Sequence, residues 1–279
     1  MTYVSSTIKW KDVWADQLQA HNRIIPMDCP SKWNSKASAE KFWEITRKNN
    51  EKRLNKTLEG FELDSTARVL DVGAGPGNLT IPCAKRFSHV TAVEPARGMM
   101  DLLIENADKE KIKNITPVQK KWEAFDLVTD LGEPCDLVIA SFSLGMSDME
   151  AAVLKMAAAS SKYICLLWFA GEPEWEKHSR ILWTKLHNLD YVPMPKVDVL
   201  FNLLYQMGIH PEMAVFHLSS ETVFSSFRDA VRHFSTLYRV NDPGREKILA
   251  DYLEQALEPV AGKWVQKNNS TRVKLWWSK

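Results

Sequence analysis

The sequence predicts an α/β fold in which a mostly parallel sheet is covered by helices on both faces. Short apolar strands alternate with helical segments over residues 68–170, and strands that are apolar along their whole length are typical of a parallel sheet buried on both sides. The first strand runs directly into a glycine-rich turn that a helix follows. A length of 279 residues and a hydrophobic content of 45% suit one enlarged domain with a sizeable core.

The segment before the first strand is predicted to form a helical cap over residues 1–60. Pro26 and Pro30 mark a break, and a helical stretch then begins at Ser38 and extends to Leu54. Four tryptophans in this segment provide apolar area for closing over a ligand: Trp10, Trp14, Trp33 and Trp43. The α/β domain is predicted to occupy residues 61–279.

The apolar and helical patterns assign each element of that domain in order. The predicted strands are residues 69–72, 90–93, 115–119, 137–140 and 163–169, and the helices between them are residues 79–87, 99–107 and 149–159. Beyond residue 170 we expect helices at 175–187, 199–207, 223–238 and 245–257, a strand at 213–218, and a final strand at 272–277 paired with 263–266 across Asn268 and Asn269. Residues 171–262 are long for a plain end to a sheet, so we predict a helical insertion there.

Composition and charge argue against several classes of function. The formal net charge of +1 gives no global field that would gather polyanions, so a nucleic acid partner is disfavoured. Neither a metal site nor a disulfide framework is predicted from the spacing of Cys29, Cys83, Cys135 and Cys165. The first ten residues lack the apolar core of a signal peptide, and the longest apolar run, 163–170, is too short to span a bilayer. We expect a cytoplasmic protein without a membrane span.

The turn after the first strand contains Gly73, Gly75 and Gly77, between Asp71 and the helix that begins near Leu79. Glycine allows positive φ angles and lets a ligand approach the backbone closely. A dinucleotide-binding fold has the same architecture, but its fingerprint requires three glycines at set positions. The third position falls on Asn78 or on Thr80 in the two possible frames, and proline at position 76 removes a donor for phosphate.

An acidic side chain, Glu94, ends the second strand, nineteen residues beyond Gly75. This spacing is close to that of a carboxylate that binds a ribose diol in such a fold. A ligand with a ribose and no phosphate, such as S-adenosylmethionine, therefore fits the turn better than a nicotinamide dinucleotide does.

The glycine motif, followed by Val93-Glu94-Pro95-Ala96 and Met99-Met100, resembles the first two cofactor motifs of class I S-adenosylmethionine-dependent methyltransferases. It is most similar to their small-molecule branch, which is related to quinone C-methyltransferases (methyltransferase type 11-like), and the likeness covers about residues 33–170. The resemblance implies a Rossmann-like sheet of seven strands with S-adenosylmethionine at the carboxyl ends of the first strands.

By this resemblance Asp71 and residues 73–77 surround the methionyl part of the cofactor, Glu94 holds its ribose, and Met99 packs on its adenine. Trp33 and Asn34, followed by Phe42, look like the aromatic helix that often closes over the cofactor in this family. The cofactor-binding set implied is Trp33, Asp71, Gly73, Ala74, Gly75, Gly77, Asn78, Leu79, Glu94, Pro95, Met99, Trp122, Glu123 and Ser141.

The sequence departs from the family pattern after the third strand. Lys121 occupies the position where the family usually has an acidic residue that contacts the adenine amino group. Three alternatives stay open for that contact: Lys121, stacking on Trp122, or a hydrogen bond from Glu123. After the fourth strand, residues 141–146 contain neither an Asn-Pro-Pro-Tyr-like run nor a cysteine. Methylation of amino groups by an Asn-Pro-Pro-Tyr-type site is therefore disfavoured, and so is catalysis by a thiol nucleophile.

The leading hypothesis is a methyltransferase that acts on a small molecule, with no general base assigned. Two alternatives are an RNA methyltransferase and a non-catalytic module that binds S-adenosylmethionine. The basic run at residues 52–56 is predicted to be a solvated helix face. The histidines are expected to be structural or exposed: His178, His187, His210, His217 and His233. The residues indicate neither the acceptor atom nor an oligomeric state.

Overall fold

A computed structural model describes residues 8–24 and 33–279 of the chain. The predicted break at Pro26 and Pro30, and Cys29, lie outside these residues. The described chain divides into two compact units. Unit 1 comprises the described part of Met1–Trp168 with Asp198–Ala214 and Lys274–Lys279, and unit 2 comprises Phe169–Val197 and Val215–Val273.

The strands in the described residues form one sheet. They are β1 (Arg68–Val72), β2 (His89–Val93), β3 (Ile115–Val118), β4 (Cys135–Ser141), β5 (Ser160–Ala170), β6 (Glu212–Phe224), β7 (Glu258–Val260) and β8 (Lys263–Ser278). The path through the sheet is β3-β2-β1-β4-β5-β8-β6, and β7 pairs with β8. Strands β1 to β5 pair in parallel, which confirms the predicted mostly parallel sheet.

The order of the strands places a crevice beside β1. The chain moves outward from β1 through β2 to β3 and then returns to β4 on the other side of β1. Ligands of open α/β sheets bind at such a reversal, outside the carboxyl ends of the strands. Val72 at the end of β1 is in register with Val93 of β2 and Ala140 of β4, so these three ends meet at one edge.

The helices of unit 1 lie before β1 and between the strands. They are α1 (Trp10–Ile24), α2 (Lys36–Thr46), α3 (Asn50–Leu58), α4 (Thr80–Arg86), α5 (Arg97–Lys109) and α6 (Met149–Ala159), and α8 (Val197–Gln206) falls almost entirely within this unit. The predicted helix from Ser38 to Leu54 is instead two helices joined by a short turn at Arg47–Asn49. The first begins earlier than predicted because the Ser35 hydroxyl accepts the Ser38 N–H and caps it.

Unit 2 contains α7 (Glu174–His187), α9 (Phe227–Leu237), α10 (Pro243–Ala256), β7 and most of β6 and β8. The predicted hairpin across Asn268 and Asn269 is wrong, because β8 continues through both residues. The turn lies at Ala261 and Gly262, where Val260 pairs with Lys263 and both turn residues have positive φ. Alanine disfavours positive φ, so the residues at this turn do not form a typical hairpin motif.

Side chains from β1 and β4 form the centre of the unit 1 core. Val69, Leu70, Leu137 and Ile139 are fully buried, which explains why these strands are apolar throughout. Within the described part of the chain, no helix combines the length and the apolar character needed to cross a membrane.

Candidate functional site

The glycine turn after β1 is tied to the end of β2 by its own backbone. The N–H groups of Gly73 and Ala74 both donate to the carbonyl oxygen of Val93, at 2.7 and 3.0 Å, and Gly77 N–H donates to Ala74 O at 3.2 Å. Gly73, Gly75 and Gly77 all have positive φ, of 75°, 56° and 96°. The turn therefore takes a conformation that favours glycine at three positions.

Two of these glycines are required by the protein's own packing. A Cβ at Gly73 would lie 2.2 Å from Ser143 Cβ, and a Cβ at Gly77 would lie 2.9 Å from Ile81 Cδ1. A Cβ at Gly75 would meet nothing within 4 Å among the described residues. The open side of Gly75 is thus where a ligand can approach the turn.

The carboxylate of Glu94 lies directly against that turn. Its Oε2 accepts the Gly75 N–H at 2.9 Å, and its Oε1 accepts the Ala96 N–H at 2.8 Å. Burial raises the pKa of Glu94, and the two backbone hydrogen bonds oppose this shift. Each oxygen keeps a second lone pair, so the carboxylate can accept further hydrogen bonds from a ligand. Pro95 follows and is half-buried.

Asp71 points from the end of β1 towards the start of α4. Its Oδ2 accepts the Thr80 hydroxyl at 2.7 Å. Burial raises the pKa of Asp71 to about 6, and the Thr80 bond and the charge of Arg53 only partly offset this. Asn78 accepts a hydrogen bond from the Thr46 hydroxyl at 3.1 Å, and Leu79 is buried in the core. In this structure these side chains hold the turn and α4 together from inside.

The start of α5 packs closely against the segment before α2. A Cβ at Gly98 would lie 2.7 Å from the carbonyl oxygens of Trp33 and Asn34, and the Asn34 side chain accepts the Arg97 N–H at 3.1 Å. Sequence reasoning missed Gly98, although a glycine in the first turn of a helix with no need for positive φ is a signal of close backbone approach.

Met99 belongs to an apolar cluster between α2 and α5. It is buried with Ala39 and Leu102, and Trp33, Phe42 and Trp43 pack against this cluster. The rings of Trp33 and Phe42 meet edge to face with centroids 5.2 Å apart. The predicted contact of Met99 with adenine stays a prediction, and in this structure the side chain contacts protein.

The three residues considered for the adenine contact follow β3 and differ in their surroundings. Trp122 is only 3% exposed, its Nε1 donates to Ala152 O at 3.2 Å, and its ring stacks on Phe125. Lys155 Nζ lies 5.4 Å from the centre of the Trp122 ring. Glu123 and Lys121 are both exposed. The Trp122 ring is therefore engaged by protein contacts, which favours a core role over stacking on a ligand.

Arg53, which was predicted to lie on a solvated helix face, contacts the carboxyl end of β4. Arg53 Nη2 donates to the Ser141 hydroxyl at 2.7 Å, and the guanidinium lies 5.5 Å from the centre of the Phe142 ring. Leu54 is fully buried. The prediction that residues 52–56 form a solvated helix face is therefore wrong for these two residues, because this turn of α3 packs on the sheet.

The histidines of unit 2 make structural contacts. His178 Nδ1 is 2.7 Å from the Tyr252 hydroxyl, and burial lowers the pKa of His178. His187 Nε2 lies 2.8 Å from the carbonyl oxygen of Tyr238. Across residues 8–24 and 33–279, no group of three or more His, Cys, Asp or Glu side chains is placed to hold a metal ion.

The predicted residues thus separate into two groups. Asp71, the glycine turn, Glu94 and Ser141 meet at the carboxyl ends of β1, β2 and β4. Met99 and Trp122 are buried by contacts with other protein groups, and Glu123 is exposed. Arg53 and Gly98 join the described site and were not predicted.

Comparison with known proteins finds similarity mainly to the central part of the chain. Residues 69–162 match a protein family described as a methyltransferase domain. An uncharacterized protein of Haemophilus influenzae is 28% identical over 191 residues, which are 66% of this chain and 65% of that protein. A 23S rRNA uracil C(5)-methyltransferase of the same organism is 35% identical over 74 residues, covering 26% of this chain and 17% of that enzyme. The chain thus spans less than two thirds of the length of these curated relatives.

Solved structures agree on the fold. A Bacillus halodurans protein assigned as a methyltransferase aligns with 82% of this chain and 99% of its own, with a TM-score of 0.57 and 15% identity. A Bacillus subtilis protein named YcgJ aligns with 82% and 97%, with a TM-score of 0.52 and 12% identity. The predicted Rossmann-like fold is confirmed, and the match at residues 69–162 agrees with the predicted methyltransferase region. The branch related to quinone C-methyltransferases stays a prediction.

Proposed function

We propose that this chain is an S-adenosylmethionine-dependent methyltransferase that acts on a small-molecule acceptor. The observation that carries the proposal is the glycine turn of a methyltransferase domain, with Gly75 open on its outer side and the Glu94 carboxylate directly against it. Both features suit a ribose. The glycine lets the ligand approach the backbone closely, and the carboxylate can accept hydrogen bonds from two hydroxyls.

The hydrogen bonds of the turn favour this cofactor over a dinucleotide. The N–H groups of Gly73, Ala74, Gly75 and Gly77 all donate within the protein, and proline at position 76 has none. A pyrophosphate site presents free backbone N–H groups to the ligand. Residues 73–77 therefore suit the methionyl and ribose parts of S-adenosylmethionine, a ligand without phosphate.

When bound, S-adenosylmethionine supplies a methyl group that its sulfonium already activates for in-line displacement. The chain's residues then have to orient the acceptor and exclude water, and orientation of this kind contributes about 7–11 kcal/mol to lowering a barrier. Gly75 and Glu94 would fix the nucleoside, and Ser141 and Phe142 at the end of β4 would lie near the point of methyl transfer. No side chain of the described site is assigned as a general base.

A small-molecule acceptor is favoured over RNA by two observations. The net charge of +1 provides no field for a polyanion. The match to the rRNA enzyme covers only 17% of that protein, so it supports a shared methyltransferase domain and says nothing about an RNA-binding part. The cytoplasmic location stays a prediction from composition.

The test begins with calorimetry of the full chain against S-adenosylhomocysteine and NAD. We expect S-adenosylhomocysteine alone to bind, and binding of NAD alone would overturn the proposal. Radiolabelled S-adenosylmethionine is then incubated with the protein and either a metabolite extract or total RNA. Label in the small-molecule fraction supports the proposal, label in RNA favours the alternative, and binding without transfer to either indicates a non-catalytic module.

A further inference from the structure

Arg53 reaches the candidate site from α3 and ends at the edge where β1 and β4 finish. Its Nη2 donates to Ser141 Oγ at 2.7 Å, and its guanidinium faces the ring of Phe142 at 5.5 Å. Phe142 has a positive φ of 58°, a conformation that is uncommon for an aromatic residue and is held here by its N–H bond to Leu167 O. The structure thus fixes a partly buried cation beside the glycine turn.

The charge of Arg53 is not balanced by the protein around it. Among the residues that the structure describes, no carboxylate lies within ion-pair distance of its guanidinium. Burial lowers the pKa of Arg53, and the more distant charge of Asp71 only partly opposes this. Asp71 Oδ2 instead accepts a hydrogen bond from the Thr80 hydroxyl, and burial raises the pKa of this carboxyl as well. A partly buried cation without a counter-charge is costly, so its presence needs an explanation.

Two buried polar atoms on the same face of α3 also lack partners. Neither Arg53 Nε nor Asn50 Oδ1 has a hydrogen-bond partner within the described ranges, although both atoms are buried. Residues three apart on a helix lie on one face, so the two side chains extend from the same side of α3. Buried donors and acceptors are nearly always satisfied by protein, water or ligand.

We propose that Arg53 binds a carboxylate of a ligand at the carboxyl ends of β1 and β4. The inference rests on the function proposed above and names the acidic group that the site receives. The planar guanidinium can donate two parallel hydrogen bonds to one carboxylate, while Ser141 and Phe142 hold it in place. The carboxylate comes from one of two sources, the methionyl end of the cofactor or an acid group on the acceptor.

Calorimetry on Arg53→Gln separates these sources. S-adenosylhomocysteine and 5′-methylthioadenosine share the nucleoside and the thioether, but only the first has an amino-acid end. If the cofactor supplies the carboxylate, the variant should bind S-adenosylhomocysteine about 10- to 100-fold more weakly and methylthioadenosine as the wild type does. If the acceptor supplies it, both affinities should be unchanged, and transfer of labelled methyl into the anionic fraction of a metabolite extract should fall.

Lys56→Gln is the matched control, because Lys56 lies on the same helix and its side chain is 43% exposed. The inference is overturned if Arg53→Gln and the control agree in both affinities and in methyl transfer. Failure of the wild type to bind either nucleoside would instead contradict the proposed function. Thermal melting shows whether Arg53→Gln folds. If Arg53→Gln does not fold, Arg53→Lys and Ser141→Ala are tested instead. Arg53→Lys removes the two parallel donors of the guanidinium, and Ser141→Ala removes the hydroxyl that holds it. Unchanged ligand affinity and methyl transfer in both variants would overturn the inference.

Discussion

The backbone N–H of Gly75 donates a hydrogen bond of 2.9 Å to Oε2 of Glu94. This bond joins the turn after β1 to the acidic end of β2, so the two sequence motifs form one physical unit. The glycine leaves space for a ligand, and the carboxylate that would hold the ligand also holds the glycine turn in place. Changes at either residue are therefore expected to affect the other.

Glu94→Gln should weaken S-adenosylhomocysteine binding by about 10- to 100-fold, since hydrogen bonds to a charged group contribute about 1.5–3 kcal/mol each. The amide keeps one acceptor oxygen but places an NH₂ group opposite one of two N–H donors, Gly75 or Ala96. The melting temperature should fall slightly for the same reason. Calorimetry and thermal melting measure both effects, with the exposed Glu59→Gln as control. Wild-type affinity in Glu94→Gln would mean that the ribose is held elsewhere.

Gly75→Val should abolish detectable cofactor binding while the protein stays folded. Its φ of 56° makes a branched side chain unfavourable by about 1–3 kcal/mol, and the side chain would occupy the open side of the turn. Gly132→Val is a matched control, because Gly132 also has positive φ and no atom of the described residues within 4 Å of an added Cβ. Both variants should lose similar stability by denaturant unfolding, but only Gly75→Val should lose affinity. Equal affinities would remove the glycine turn from the site.

Asp71→Asn should change stability in a pH-dependent way. The folded-state pKa of Asp71 is about 6, above its ordinary value of 3.8, so the native state binds the proton more tightly than the unfolded state. The contribution of this tighter proton binding to the free energy of unfolding is fully present below pH 3.8 and is lost as the pH rises through 6. The variant does not titrate, so it should match the wild type at low pH and exceed it above pH 6.

The size of this gain has an upper limit of about 3 kcal/mol, because one pKa unit corresponds to about 1.36 kcal/mol. Denaturant unfolding at several pH values measures it. A difference between variant and wild type that is constant with pH would show that Asp71 is ionised in the folded protein like an exposed carboxyl.

Trp122→Ala should cost about 3–5 kcal/mol of stability, as expected for a large buried side chain. Trp122→Phe keeps an aromatic ring but loses the Nε1 bond to Ala152 O, so a smaller cost of about 1–3 kcal/mol is expected. Cofactor affinity of the folded Trp122→Phe protein should be unchanged. A large loss of affinity at an unchanged melting temperature would instead place adenine on this ring.

Local patterns along the chain were enough to predict the strands of the parallel sheet, the glycine turn and the acidic end of β2. A parallel strand buried on both faces must be apolar throughout, and a turn at positive φ favours glycine. Each feature therefore produces a recognisable pattern within a few residues of sequence. The α/β class, the similarity of the central part of the chain to a methyltransferase domain and a turn unsuited to pyrophosphate all followed from such local patterns.

Only the tertiary structure decided which side chains outside these motifs join them. Arg53 and Ser141 are 88 residues apart, and nothing in a run of basic residues shows which one turns inward. Gly98 is required by the carbonyl oxygens of Trp33 and Asn34, from a segment far away in the chain. Burial of Trp122 against Ala152 likewise depends on how α6 packs. Long-range contacts depend on the positions of whole elements, and these arise from the packing of the complete fold rather than from any local pattern.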